Sequence, residues 1–429
     1  MWLFICFLPL VFSRCYWSNK TPYQYFGTKT PYDVVRGDFR DVSSIPGCDP
    51  VSVWFMTRHG VRHPNAEDAV LMKEASLLSD EILKMYTEGK GEMCAQDISE
   101  LRDWTWNDKL DNTTSKLTSE GFSELHAFGE RFGEKFASLL KTLDKAQIRS
   151  TKEIRTLKSG DAFIKSLKGF KHPIKVAKAI LNDVVARPYR YCKTRLEVIR
   201  STKIISEVSK YQETREFQQM LANVLKLTGL SHLEARIVMG MYDLCRFYRA
   251  YTVLKRSPWC AVFTDEDLQI LEYVEDIRHY FSNGYGHPMN LQLGAAGLKD
   301  LYEKFDKAIK NDFKILTGYF THDTMIEMIY SAMGLHHDFP EISGFERNVD
   351  RKWRTSFLTP FTANFVAVLH RCTDNVTHSY NVQFFVNEKE FHLCNARLCS
   401  WQDFKNKFEQ FTAANLNFCD STILEYMNN

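Results

Sequence analysis

The chain of 429 residues lacks a charge surplus: 55 Lys+Arg stand against 53 Asp+Glu, a formal net charge of +2. With no global field, nothing advertises nucleic acid or a membrane surface as a partner, and any anion site must be built locally. Long hydrophobic runs are also missing. Residues 1–13 carry no charge, but a span needs about 20 apolar residues. No repeat or low-complexity segment stands out. The cysteines have no zinc spacing, because Cys394 and Cys399 lack a second pair to join. At 44% hydrophobic and 25% charged, the composition is that of a globular protein and excludes disorder, collagen, coiled coil and a polytopic membrane protein.

What is present begins with an address. The first thirteen residues fit a secretory signal cut near Ser13, although its basic start is missing; the alternative is a buried N-terminal strand. Neither an apolar C-terminal tail nor a K-D-E-L-type ending is seen, so the expected destination is secretion or the lumen of the secretory pathway. Of eleven cysteines, Cys6 lies in the signal, and the even remainder reads as disulfides in an exported chain. Asn19, Asn112 and Asn375 each open an N-x-T sequon and would be glycosylated at the surface.

Residues 50–57 are apolar and rich in strand formers. Phe122, Leu125, Phe128, Phe132, Phe136 and Leu139 recur at helical spacing across 117–140, with Thr118 or Ser119 as N-cap. Short strands are expected near 147–151, 313–320, 365–369 and 381–386, the last followed by a turn at Asn387-Glu388. Between about 166 and 304 the pattern is helical. Strands alternating with helices at both ends, around a helical block, define an α/β core with an α-helical insertion. The expected division is 1–13 signal, 14–46 N-terminal extension, 47–165 with 305–429 as core, and 166–304 as helical insertion. Aromatics at 14%, with 31 Phe, suit a large filled core.

Three segments carry chemistry, each at an expected strand end. Thr57-Arg58-His59-Gly60-Val61-Arg62-His63-Pro64 sets two guanidiniums around an imidazole and a glycine. Arginine offers a planar fork matched to phosphate oxygens, and glycine lets backbone approach a ligand. A helix following this loop would point its first N–H groups at the same anion. His59 would then sit beside phosphorus with a ring nitrogen free to attack, forming a covalent intermediate. Phe320-Thr321-His322-Asp323 supplies an acid for the leaving oxygen and an imidazole for phosphoryl oxygens. Arg149-Ser150-Thr151-Lys152-Glu153-Ile154-Arg155-Thr156 runs from strand to helix and lets Arg155 complete a three-arginine clamp. Each segment alone also reads as an ordinary loop or solvated helix; the three together are much harder to dismiss.

These segments resemble the histidine acid phosphatase family, whose marks are R-H-G-x-R-x-P, then R-S-T-x-x-x-R-T, then a late H-D. Tyr25-Phe26-Gly27-Thr28-Lys29-Thr30, Ser257-Pro258-Trp259-Cys260, Leu271-Glu272-Tyr273, Gly284-Tyr285-Gly286 and Val386-Asn387-Glu388-Lys389 narrow the resemblance to the multiple inositol polyphosphate phosphatases, from about residue 24 to about 405. The resemblance implies a phosphoglycerate-mutase-like α/β core and metal-independent phosphomonoester hydrolysis without a cofactor. It implies a phosphohistidine on His59, phosphate held by Arg58, Arg62 and Arg155, assistance from His322, and Asp323 as proton donor. Implied substrates are small phosphate esters: phytate, lower inositol polyphosphates and 2,3-bisphosphoglycerate. The family pattern also pairs Cys245 with Cys260 and Cys48 with Cys372. One departure matters: His322-Asp323-Thr324 stands where inositol polyphosphate phosphatases usually have His-Ala-Glu, which puts substrate range in question. The alternatives are a broad-specificity histidine acid phosphatase and a catalytically silent anion-binding homologue.

Other residues divide evenly or lean away from function. His63 reads equally as a substrate contact and as a turn residue before Pro64. The run Lys165, Lys168, Lys171, His172, Lys175, Lys178 would hold outer phosphates, but a solvated face is the commoner meaning of such runs. His336-His337 has no third ligand, so no metal is assigned. Trp104 and Trp106 read as core. The sequence leaves the oligomeric state open.

Overall fold

The computed structural model describes residues 15–21, 23–108, 110, 113–168, 173–200, 202–248, 256–373 and 378–420. The proposed signal, the sequons at Asn112 and Asn375, and Lys171 and His172 lie outside the described residues. Eight strands form one sheet: β1 (Cys48–Arg58), β2 (Lys145–Ser150), β3 (Val176–Ala177), β4 (Ile315–Thr321), β5 (Asn364–Thr373), β6 (His378–Val386), β7 (Lys389–Phe391) and β8 (Cys399–Ser400). Their order is β3-β2-β4-β1-β5-β6-β7, with β8 also on β6. β2, β3, β4 and β1 run parallel, and β5 turns the sheet antiparallel.

β1 is buried on both faces, which explains its unbroken apolar run. Val53 and Phe55 point to a phenylalanine-rich layer with Phe128, Phe132 and Phe163, while Trp54 and Met56 face the second, larger cluster. The first layer is built by the helices Ser119–Lys135 and Ile154–Ser166. Thr118 caps the former, its hydroxyl accepting from the Gly121 amide at 3.1 Å. The expected 117–140 helix breaks at Phe136, and a short helix Ala137–Lys141 follows. Phe136 leaves helical geometry while remaining buried against Phe39 and Phe132.

The other face carries Pro288–Asn311, Asp323–Ala332 and Trp401–Thr412 together with the inserted helices. The boundaries of the 166–304 block differ in two places. Val176–Ala177 pairs with Ile148 and Arg149 as part of the core sheet, and Pro288–Asn311 runs through 304–305 as one helix. Disulfides join Cys15–Cys94, Cys48–Cys372, Cys192–Cys419, Cys245–Cys260 and Cys394–Cys399. No helix among the described residues is long and apolar enough to cross a membrane.

Candidate active site

Register alone gathers the three motifs. Arg58 lies opposite Thr321, and Ser150 opposite Phe320, so β1, β4 and β2 end at one level. The next residues, His59, His322 and Thr151, therefore emerge side by side at the carboxyl edge of the parallel strands, where open α/β sheets bind ligands. The His59 amide donates to the Thr321 carbonyl at 3.0 Å, and its own carbonyl accepts from the Thr362 amide at 3.1 Å. Gly60 is required by packing: a Cβ there would lie 2.4 Å from the Gly121 carbonyl oxygen.

His59 is 2% exposed. Its Nδ1–H donates to the Gly60 carbonyl at 2.8 Å, which leaves the lone pair on Nε2. Burial, then the charges of Arg155 and Arg58, hold its pKa well below the usual 6.5. The ring is thus neutral and nucleophilic at neutral pH. The His322 ring lies 5.4 Å away, centroid to centroid. Arg155 Nη2 donates to His322 Nδ1 at 3.3 Å, and His322 Nε2–H faces Thr151 Oγ1 at 3.2 Å and Glu153 Oε2 at 3.3 Å. Burial pushes the His322 pKa down to about 4, with Glu153 opposing and Arg155 reinforcing.

Arg58 Nη2 pairs with Asp323 Oδ2 at 2.9 Å, and its Nη1 donates to the carbonyls of Thr28 and Thr359. Burial alone would raise the Asp323 pKa; Arg58 foremost, then His279, outweigh it and hold the carboxyl below the usual range. Asp323 Oδ1 also accepts from the Thr324 amide at 2.8 Å, at the first turn of a helix, where a negative charge is favoured. Arg62 lies near enough for its charge to act on Arg58, His59 and Arg155, while its Nη1 donates to the His63 carbonyl at 2.8 Å.

The cluster is rich in cations. Four guanidiniums, of Arg58, Arg62, Arg155 and Arg187, share two carboxylates, Asp323 and Glu153. A third carboxyl, Glu124, is pushed up to about 7 by burial and Asp33, so it carries a proton below neutrality. The Nε atoms of Arg58 and Arg155 are buried without an acceptor, an arrangement suited to an anion and hostile to a metal cation. The ligand-like group Cys15, Cys94 and Asp97 contains a disulfide, and Asp97 accepts from the amides of Tyr16 and Trp17.

The structure therefore brings together Arg58, His59, Arg62, Arg155, His322 and Asp323. It differs from expectation in one support: the helix after the arginine loop starts only at Ala66, and the Asn65 side chain caps it by accepting from the Asp68 amide. The helix starts at the site are those at Ile154 and Asp323. The His63 amide donates to the Lys116 carbonyl at 2.9 Å, and burial with the Lys116 charge lowers its pKa. Lys165 sits over Phe122, 5.5 Å from the ring centre, about 15 Å along the helix from Arg155 at 1.5 Å per residue. Lys168, Lys175 and Lys178 are exposed, so the described part of the run is a solvated face. Asn19 Nδ2 donates to Asp265 Oδ1 at 3.0 Å, so a sugar on that nitrogen would replace this bond. Sequence reasoning quoted Glu153 without giving it a role, and it missed Glu124, His279 and Glu327. Their partners lie far along the chain, so no local signal reports them.

Residues 51–387 match the family model for the histidine phosphatase superfamily, branch 2. The chain belongs to that family. It is an enzyme of the histidine phosphatase type. Its sequence is 28% identical over 436 residues to a multiple inositol polyphosphate phosphatase of Drosophila melanogaster, covering 96% of this chain and 92% of that one. A phytase from D. castellii shares the fold at TM-score 0.77 and 20% identity, covering 94% of this chain and 90% of that one. A Bifidobacterium longum multiple inositol polyphosphate phosphatase in complex with inositol hexasulfate does so at TM-score 0.64 and 15% identity, over 86% and 92% of the two chains.

Proposed function

We propose that this histidine phosphatase is an exported phosphomonoesterase of inositol polyphosphates, phytate and lower esters included, working through a phosphohistidine on His59. The observation that carries the chemistry is the pinned Nδ1–H of a buried, neutral His59 inside a guanidinium surplus. Nε2 attacks phosphorus, the bond from phosphorus to the ester oxygen breaks, and Asp323 gives its proton to the departing alkoxide. Water then attacks the phosphohistidine, returns a proton to the Asp323 carboxylate, and inorganic phosphate leaves. Arg58, Arg62 and Arg155 hold the non-bridging oxygens, and His322 joins them once the bound anion lets its ring take up a second proton.

Asp323 is ionised in the empty site. An arriving phosphate dianion neutralises Arg58 and adds like charge, so the carboxyl takes up a proton as substrate binds. The inositol polyphosphate reading rests on the relatives named above, and the five disulfides support an oxidising destination. The Asp323 acid directly after His322 favours a second reading, a broad histidine acid phosphatase. Product analysis from phytate with purified protein in chelator tests the proposal. Successive lower inositol phosphates are expected; equal turnover of p-nitrophenyl phosphate and phytate would favour the second reading, and no release at all would remove both.

A further inference from the structure

The general acid has a neighbour from the insertion that the reaction above does not use. His279 lies near the end of the helix Asp265–Asn283. Its Nδ1 sits 3.0 and 2.9 Å from the two carboxylate oxygens of Glu327. Glu327 is fully buried, at 0% side-chain exposure, and no arginine or lysine pairs with it among the described residues. Its other donors are neutral: Asn283 Nδ2 at 2.7 Å and Thr359 Oγ1 at 2.6 Å. A buried carboxylate with neutral donors needs one countercharge, and His279 is the group placed to supply it as an imidazolium.

Glu327 stands one helical turn after Asp323, so the two carboxyls share a face of the helix Asp323–Ala332. His279, gripping the second, is thereby brought beside the first. The same chain of contacts reaches the clamp: the Thr359 hydroxyl donates to Glu327 while its carbonyl accepts from Arg58 at 2.8 Å. We propose that His279, held by Glu327, is a positioning residue that sets how readily Asp323 releases its proton, tuning the acid step from the helical insertion. The proposal rests on the reading of Asp323 as proton donor.

Electrostatics agree with the geometry. Burial alone would lower the His279 pKa, but Glu327 foremost, then Asp323 and Glu275, raise it. In return His279 is, after Arg58, the strongest charge lowering Asp323. The remaining groups facing the acid are His59 from the β1 loop, His322 beside it, Arg155 from the Ile154 helix and Tyr189 from the insertion. Of the histidines around the acid, only His279 grips a carboxylate that is fully buried.

The sign follows. A cation beside a carboxyl makes it a stronger acid, so removing the cation lets Asp323 keep its proton to higher pH. In His279→Gln, the alkaline limb of kcat on an ester with a poor leaving group should move up by about one pH unit, with KM little changed. Glu327→Gln should move the limb the same way, because His279 loses its reason to stay charged. In an Asp323→Asn background, His279→Gln should move no limb. An even loss of kcat at all pH values, limbs shifting in opposite directions, or a shift persisting without Asp323 would overturn the proposal. Equal slowing of good and poor leaving groups by Asp323→Asn alone would instead overturn the acid reading. Should the glutamine variant not fold, His279→Asn removes the same charge and is read by the same profile.

Discussion

Two regions of this molecule concentrate buried charge, and they do so differently. At the carboxyl edge of β1, β4 and β2, guanidiniums outnumber carboxylates, and three buried Nε donors, of Arg58, Arg155 and Arg187, have no acceptor. Under the insertion the charges balance. Arg246 and Lys29 meet Asp243 and Glu275, and Arg351 and Arg354 meet Glu272 and Asp276. A balanced buried network closes on itself and holds elements together; a surplus of one sign is completed only by a ligand. Both regions are rich in arginine, so residue type alone does not tell a phosphate site from a structural brace. The count of partners does.

The largest effect should come from the surplus region's nucleophile: His59→Ala is expected to abolish turnover, while EDTA is not, as steady-state assays would show. Robust turnover in that variant would remove the covalent route. Next, Arg155→Met should lower kcat/KM by about 10²–10³-fold, the effect of losing one preorganised donor, with little change in melting temperature. Arg351→Met should do the reverse. It leaves buried Asp276 with only the neutral donors of Thr355 and Glu272 with Arg354 alone, and should cost about 3–5 kcal/mol of stability, leaving kcat of the folded fraction intact. If both variants lose activity and stability alike, the contrast between the regions fails.

Asp323→Asn should slow poor leaving groups by about 10²–10⁴-fold and good ones far less. Glu153→Gln is a smaller perturbation. It weakens the contact that keeps His322 in the Nε2–H form, and about a tenfold loss in kcat is expected from one weakened charged hydrogen bond. The smallest effect is on acid stability. His322 and His370 are both pushed down from 6.5 to about 4, each chiefly by burial. A histidine kept neutral in the fold stabilises above its unfolded pKa and loses that contribution as pH falls towards the folded one. Melting temperature should therefore drop between about pH 6.5 and 4. Inorganic phosphate should restore the His322 share, since the charged ring can then donate to the anion. The His370 share, beside β6 through Gln383, should remain lost.

Much of the active region was legible because its chemistry is local. R-H-G-V-R, R-S-T-K-E-I-R and H-D each sit within a few residues of a strand end, and apolar runs mark those strands. What stayed hidden depends on partners remote in sequence. The strings Y-F-G-T-K-T, L-E-Y and V-N-E-K carry no phosphatase chemistry of their own. In the fold, Thr28 gives its carbonyl to Arg58, Glu272 takes Arg351 and Arg354, and Glu388 takes Arg131 and Tyr32. The pairings Cys15–Cys94, Cys192–Cys419 and Cys394–Cys399 were likewise out of reach, since spacing does not fix connectivity. The helix break at Phe136 was missed because its apolar period continues across the break; tertiary packing, not propensity, ends the helix there.

The central claim is that the phosphoryl group passes through His59 rather than directly to water. Its most direct test is the stereochemistry at phosphorus, using an isotopically chiral phosphate monoester and a chiral analysis of the transfer product. Two in-line displacements, one onto Nε2 and one off it, give net retention, the result expected here. Net inversion would mean a single displacement by the acceptor and would contradict the account, leaving the arginine cluster to bind the ester without a histidine attacking it.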